Sequence, residues 1–234
     1  MCRKLNAFSV ALLMATPLFS SQAIAGDWYL SVNAGYSSPT SKVFNDGTNG
    51  TGTPKSDIDA DAKYGIALGV EVIPALSLEL EYSYASYDTD AGRKLGSDIR
   101  ALDEFGIDAG IDVDLVTLNV AYEFKNSTNF TPFIKGGLGA SFYDVKGDLY
   151  VGSFGGGDAG GFLPQTFSYK GDGSEFAFFV GAGVDMTISD QLALILEYRY
   201  YDLGDVATDY DVNGDRLQTS LKANDIQLGL KYQF

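Results

Sequence analysis

The chain of 234 residues is long enough for one barrel or sandwich, or for two small domains. It carries 16 Lys and Arg against 31 Asp and Glu, a net charge of −15, which argues against nucleic acid as the main partner. It has no histidine, which removes Ser-His and Cys-His nucleophilic sites, histidine general bases and His-ligated zinc. The single cysteine, Cys2, sits in the targeting segment described next, so no thiol or disulfide chemistry is expected of the working protein. With 28 Gly, 15 Tyr and 15 Phe beside one Trp, the balance suits an all-β protein.

The chain opens on Met1-Cys2-Arg3-Lys4, a short basic start. An apolar stretch from Ala7 to Phe19 follows, and then the small-x-small site Ala23-Ile24-Ala25. This is the three-part pattern of a secretory signal peptide, too short for a membrane anchor. Cleavage after Ala25 is expected, leaving residues 26–234 as one barrel domain.

Beyond it, eight segments alternate with period two: WYLSVNAGYS, YGIALGVEV, LSLELEYSY, VTLNVAYEF, FIKGGLGASFY, EFAFFVGAGVDM, LALILEYRYY and IQLGLKYQF. In all eight, even numbers mark the apolar face, as in Leu30 and Val32, Ile66 and Leu68, Leu194 and Leu196, Leu228 and Leu230. Odd numbers are small or polar, among them Asn33, Gly69, Glu79, Thr117, Asn119 and Gln227.

A soluble sandwich would also alternate, so two further features decide the class. Connections at Ile73-Pro74-Ala75, Lys125 to Phe130 and Thr187 to Asp190 are short. Those from about Ser38 to Ala62, Asp88 to Gly110, Asp144 to Gly173 and Asp202 to Asp225 are long, and the two kinds strictly alternate. If strands run up and down, the aromatics collect into two lipid-facing girdles. One holds Trp28, Tyr122, Phe124, Tyr232 and Phe234; the other holds Tyr36, Tyr64, Tyr82, Tyr84, Phe142, Phe176, Phe178, Tyr198 and Tyr200. The sequence therefore predicts an eight-stranded, antiparallel, up-and-down transmembrane β-barrel with short periplasmic turns and long extracellular loops.

On LNVAYEF at Leu118 to Phe124, TPFIKGGLGASF at Thr131 to Phe142 and the terminal IQLGLKYQF, the chain resembles the small outer-membrane β-barrels of Gram-negative bacteria. These include the OmpA transmembrane domain and the OmpX-type and opacity-type proteins, often called porin-like. The resemblance implies an outer-membrane location and a monomer in contact with lipid and lipopolysaccharide. It also implies that Phe234, with Tyr232 behind it, is the terminal signal read by the outer-membrane assembly machinery. Enzymes of that architecture rely on histidine, which this chain lacks.

Candidate chemistry is sparse. The glycine clusters at Gly136 and Gly181 lie inside strands and open no helix, so they are not phosphate loops. The sequon Asn126-Ser127-Thr128 falls in a periplasmic turn and carries no weight. The four long connections hold 20 of the 31 acidic residues and 9 basic ones, mostly a solvated surface. Within them, Asp209, Asp211, Asn213 and Asp215 resemble the first half of a calcium loop. Ser220 replaces the bidentate glutamate, so at most weak Ca²⁺ or Mg²⁺ binding is expected, with no other cofactor.

Inward charges say more. Glu71, Glu79, Glu81, Glu123, Asp185 and Glu197 share the odd face with Lys135, Arg199 and Lys231. Side chains fill an eight-stranded barrel, so these charges must pair. The third and seventh segments face each other across the ring, which places Arg199 within reach of Glu79 or Glu81, with Glu197 beside it. The expectation is a polar plug made of Glu79, Glu81, Glu197, Arg199, Lys135 and Lys231. The expected role is non-enzymatic, structural or directed at a host or environmental surface ligand through acidic loops. The alternative is a narrow porin-like channel for ions or small solutes.

Overall fold

The computed structural model describes residues 27–40, 42–45, 56–90, 105–151, 165–209 and 217–234; the expected signal segment, 1–25, lies outside them. The strands in chain order are β1 (Trp28–Pro39), β2 (Lys42–Asn45), β3 (Ser56–Asp57), β4 (Asp61–Ile73), β5 (Leu76–Asp90), β6 (Phe105–Glu123), β7 (Phe130–Val151), β8 (Gln165–Ser189), β9 (Leu192–Ala207) and β10 (Leu217–Gln233). Eight of them, β1 and β4 to β10, pair antiparallel with their neighbours in sequence order. The ring closes because β1 pairs with both β4 and β10. Closure leaves no strand edge within the lipid, the condition for a sheet to cross a bilayer. The short β2 and β3 extend β10 on the extracellular side.

Parity follows the sequence. Leu30, Val32, Ile66, Leu118, Val120, Leu138, Leu196 and Leu228 are exposed to the lipid, while Ser31, Glu79, Glu81, Asn119 and Arg199 are buried inside. Trp28, Tyr122 and Tyr232 edge this band below, and Tyr36, Tyr64, Phe176 and Tyr198 edge it above.

The barrel is taller than the loop boundaries expected from sequence. Pairing of β5 with β6 reaches Asp90 and Asp108, and pairing of β7 with β8 reaches Val151 and Gln165. The strands rise past the outer girdle because alternation continues with its chemistry inverted. Even positions become polar and outward, as at Asp112, Asp114 and Asp144. Odd positions become apolar and buried, as at Tyr87, Ile111, Val113 and Val145. Such a strand suits water outside and a dry core inside.

At the tip of β9 and β10, Leu203, Val206 and Leu221 join that core. Between the pairs Asp202–Lys222 and Asp205–Ser220, β9 carries two residues against the single Leu221 of β10, a bulge that bends both strands. Gly204 supplies the required backbone at φ +84, and a Cβ there would lie 2.5 Å from the Cβ of Glu175. After the bulge the buried parity of β9 switches from Leu203 to Val206 and Thr208. Leu203 is held across the intervening β8 by Ser141 of β7, whose Oγ donates to its carbonyl at 2.6 Å.

Candidate functional site

The lumen holds three tiers of side chains. The middle tier centres on Arg199, which is 1% exposed. Its Nη1 lies 2.8 and 2.9 Å from the two carboxylate oxygens of Glu81 on the opposite wall. Its Nε and Nη2 donate to Glu197 at 2.7 and 2.9 Å, and Nη1 also donates to the Tyr201 hydroxyl at 2.7 Å. The fork geometry of guanidinium is what lets one residue serve two carboxylates on different strands. Asn119 donates to Glu81 at 2.9 Å and Gln227 to Glu197 at 3.1 Å, so the carboxylates are held on more than one side. The Phe179 ring lies under the guanidinium, 4.5 Å from its carbon.

Glu79 is directed elsewhere. It accepts from the Tyr29 hydroxyl at 2.8 Å and faces Lys135 Nζ at 2.9 Å. Lys135 also stands 3.7 Å from Glu197, which joins the two pairs. The Tyr29 ring reaches Glu79 by lying flat against Gly69, where any side chain would collide with it. The six charges expected in the plug thus fall into two places. Glu79, Glu81, Lys135, Glu197 and Arg199 form the middle tier. Lys231 lies below them, bound to Asp185 and, at 3.0 Å, to Glu123.

The lowest tier opens to the periplasm as a vestibule of about 270 Å³. Glu71, also on the odd face, lies at its rim and pairs with Lys125 at 2.5 Å.

The upper tier was missed in sequence because its residues lie at the ends of the alternating segments or just beyond them, next to the long connections. Lys63 on β4 pairs with Asp225 on β10 at 2.7 Å, both buried, reaching past the intervening β1. Ser37 of β1 donates to Asp225 at 2.5 Å and meets the Tyr87 hydroxyl at 2.8 Å. Lys63 Nζ also lies 3.5 Å above the Tyr201 ring, the same ring whose hydroxyl meets Arg199. Odd numbering was the available signal, since 37, 63, 87 and 225 all continue the inward face. Above this level the lumen is dry, packed with Ile58, Tyr87, Ile111, Val113, Val145, Leu203, Val206 and Leu221.

Of the expected weak divalent site, Asp211, Asn213 and Asp215 lie outside the described residues. Asp209 is described, and its backbone N–H donates to the Lys170 carbonyl at 2.8 Å. Among the described residues no three acidic side chains converge as metal ligands. On the outer wall, the hydrogen bond from Lys146 to Asp144 holds that ammonium above the ordinary lysine range. At the C terminus, Phe234 is exposed beside Tyr232, and its N–H donates to the Trp28 carbonyl at 2.9 Å.

A model of the outer membrane protein beta-barrel domain matches residues 8–234. The chain belongs to that family. Among relatives in this outer-membrane barrel family, the chain is 28% identical over 188 residues to the outer membrane protein PagN of Salmonella typhimurium, covering 73% of this chain and 72% of PagN. It is 30% identical over 145 residues to the outer membrane protein Omp38 of Acinetobacter baumannii, covering 62% of this chain and only 38% of Omp38. The crystal structure of OprG from Pseudomonas aeruginosa shares the fold, with a TM-score of 0.55 and 17% identity over 89% of this chain and 96% of OprG. Membership places the protein in the outer membrane, with its even-numbered band in lipid.

Proposed function

We propose that this family member is a non-enzymatic, closed outer-membrane barrel. It presents its acidic extracellular connections to lipopolysaccharide or to a host or environmental surface. One observation carries the reading: the lumen is filled by the Arg199 tier in the middle and by a dry apolar core above it. A filled barrel offers its chemistry at its ends, and loops on a rigid wall are where binding residues collect. The histidine-free composition supports a role without catalysis.

The alternative reading, a narrow channel, has the periplasmic vestibule on its side, because that cavity extends into the lumen as far as Lys231. Surface display separates the two. Cells carrying the protein are compared with cells whose four long connections are each replaced by a short Gly-Ser link. Loss of retention on lipopolysaccharide-coated or host-matrix surfaces, with the barrel still folded, is the expected result. Unchanged retention by all four variants contradicts the reading.

A further inference from the structure

We infer that β2, β3 and the adjoining Ile58 form a lid over the extracellular end of the dry core, held shut by the Ile58 side chain. The inference rests on the filled lumen of the proposed function and concerns how its outer end is closed. Among the described residues, the upper core draws on β5 to β10 and takes nothing from β1 or β4, which end at Pro39 and Asp61. Their sector is filled by Ile58, 5% exposed, which comes from outside the eight-stranded ring.

Backbone pairing bridges that sector. The chain leaves β1 along β10, where Thr40 N donates to the Lys222 carbonyl at 2.8 Å. Strand β2 then pairs with β10 at Phe44–Gln218 and Asn45–Leu217, and β3 pairs with β2 at Ser56–Val43 and Asp57–Lys42. On the far side, Asp59 N donates to the Asp88 carbonyl of β5 at 2.8 Å. At this level the wall runs β10, β2, β3, β5, so β2 and β3 stand where β1 and β4 stand in the membrane.

This part of the wall is weakly fixed. Ring strands are zipped over long ladders, as from Phe130–Met186 to Val151–Gln165 between β7 and β8. The short ladders of β2 and β3 fix little backbone, and a two-stranded hairpin is marginal on its own. Segments with short ladders and few buried apolar contacts open at the low end of the local stability range. Burying one isoleucine favours the closed state on the order of 10- to 100-fold. That leaves the open state at roughly 1–10%, within reach of modest influences. Charge opposes closure, because the Asp59–Asp88 bond sets two exposed aspartates opposite each other and like charges facing across a sheet repel. Cations outside the cell screen that repulsion and tighten the lid. Opening admits water to the core, toward the buried Lys63–Asp225 pair.

The test is amide hydrogen exchange on the full barrel in nanodiscs of zwitterionic lipid, read by mass spectrometry with residue-level fragmentation. The Asp59 amide reports the lid, and the Thr117 and Asn119 amides on β6 report the wall. Ile58→Ala should lower protection at Asp59 at least about fivefold and leave Thr117 and Asn119 unchanged. Ile58→Val, the variant certain to keep the core apolar, should lower it less. Asp88→Asn removes the repulsion and keeps the latch, so it should raise protection at Asp59 by up to about fivefold, as should added salt in native protein. Native protection at Asp59 equal to that at Thr117 and Asn119 would make β2 and β3 a fixed wall and overturn the lid. So would an Ile58→Ala variant that leaves Asp59 unchanged or speeds the wall amides equally. Protection unchanged by both Asp88→Asn and salt would overturn the charge opposition. Surface retention by the long connections is a separate readout, so failure of that reading and failure of the lid are told apart.

Discussion

Arg199 and Glu81 stand on β9 and β5, four strands apart in the ring, and meet across the lumen with one guanidinium nitrogen 2.8 and 2.9 Å from the two carboxylate oxygens. A bond of this kind braces opposite walls of the barrel. Removing one partner leaves buried charge uncompensated, which costs about 3–5 kcal/mol, less where lumenal water enters.

Arg199→Ala should therefore lower stability by about 2–4 kcal/mol in urea titrations in detergent, followed by tryptophan fluorescence or heat-modified gel migration. Glu81→Gln added to it should recover part of the loss. Glu79→Gln should recover none, because Glu79 answers to Tyr29 and Lys135 rather than to Arg199. Equal rescue by both would contradict the separation of the two pairs.

Lys63 and Asp225 form a second buried pair one tier higher. Lys63→Ala and Asp225→Ala should each destabilise, and the double variant should cost less than their sum, with a coupling on the order of 1–3 kcal/mol. Strict additivity would mean that the pair contributes nothing beyond its two desolvated ends.

Two left-handed backbone positions predict opposite signs. Ala75, at φ 76 after Pro74, occupies a turn position that favours glycine, while its carbonyl accepts from Glu123 N at 2.8 Å. Ala75→Gly should stabilise by about 0.5–1 kcal/mol. Gly204→Ala should destabilise by more than about 1 kcal/mol, because strain and the clash with Glu175 add. The same unfolding titrations read both.

Phe234 contributes a backbone bond to Trp28 and an exposed ring. Deleting it should reduce the amount of barrel reaching the outer membrane while leaving the urea midpoint of the folded fraction nearly unchanged. Normal outer-membrane levels of the truncated chain would remove the terminal ring from any part in assembly.

Much of this was legible in the sequence because the membrane imposes a simple rule. Apolar even positions, from Trp28 to Tyr232, had to face lipid, so odd positions such as Glu79, Glu81, Lys135 and Arg199 had to share the lumen. Placing Arg199 opposite the strand that carries Glu79 and Glu81 required only the strand count. The choice between Glu79 and Glu81 was not legible, because it depends on the Tyr29 ring crossing Gly69 to claim Glu79. The upper tier was hidden for a different reason. Where the wall leaves the membrane, the alternation keeps its period and reverses its chemistry, so Asp112 and Asp144 point outward and Val113 and Val145 inward. A pattern sought as apolar-outward stops at that level, and Lys63, Tyr87 and Asp225 fall just outside the segments it picks out.

Single-channel recording in planar bilayers tests the closed lumen most directly. Native protein should give no sustained conductance steps, and Arg199→Ala combined with Lys63→Ala should give small cation-selective steps, since the remaining acidic lining favours cations. Steady current through the native barrel, unchanged in that double variant, would contradict a lumen closed by these tiers.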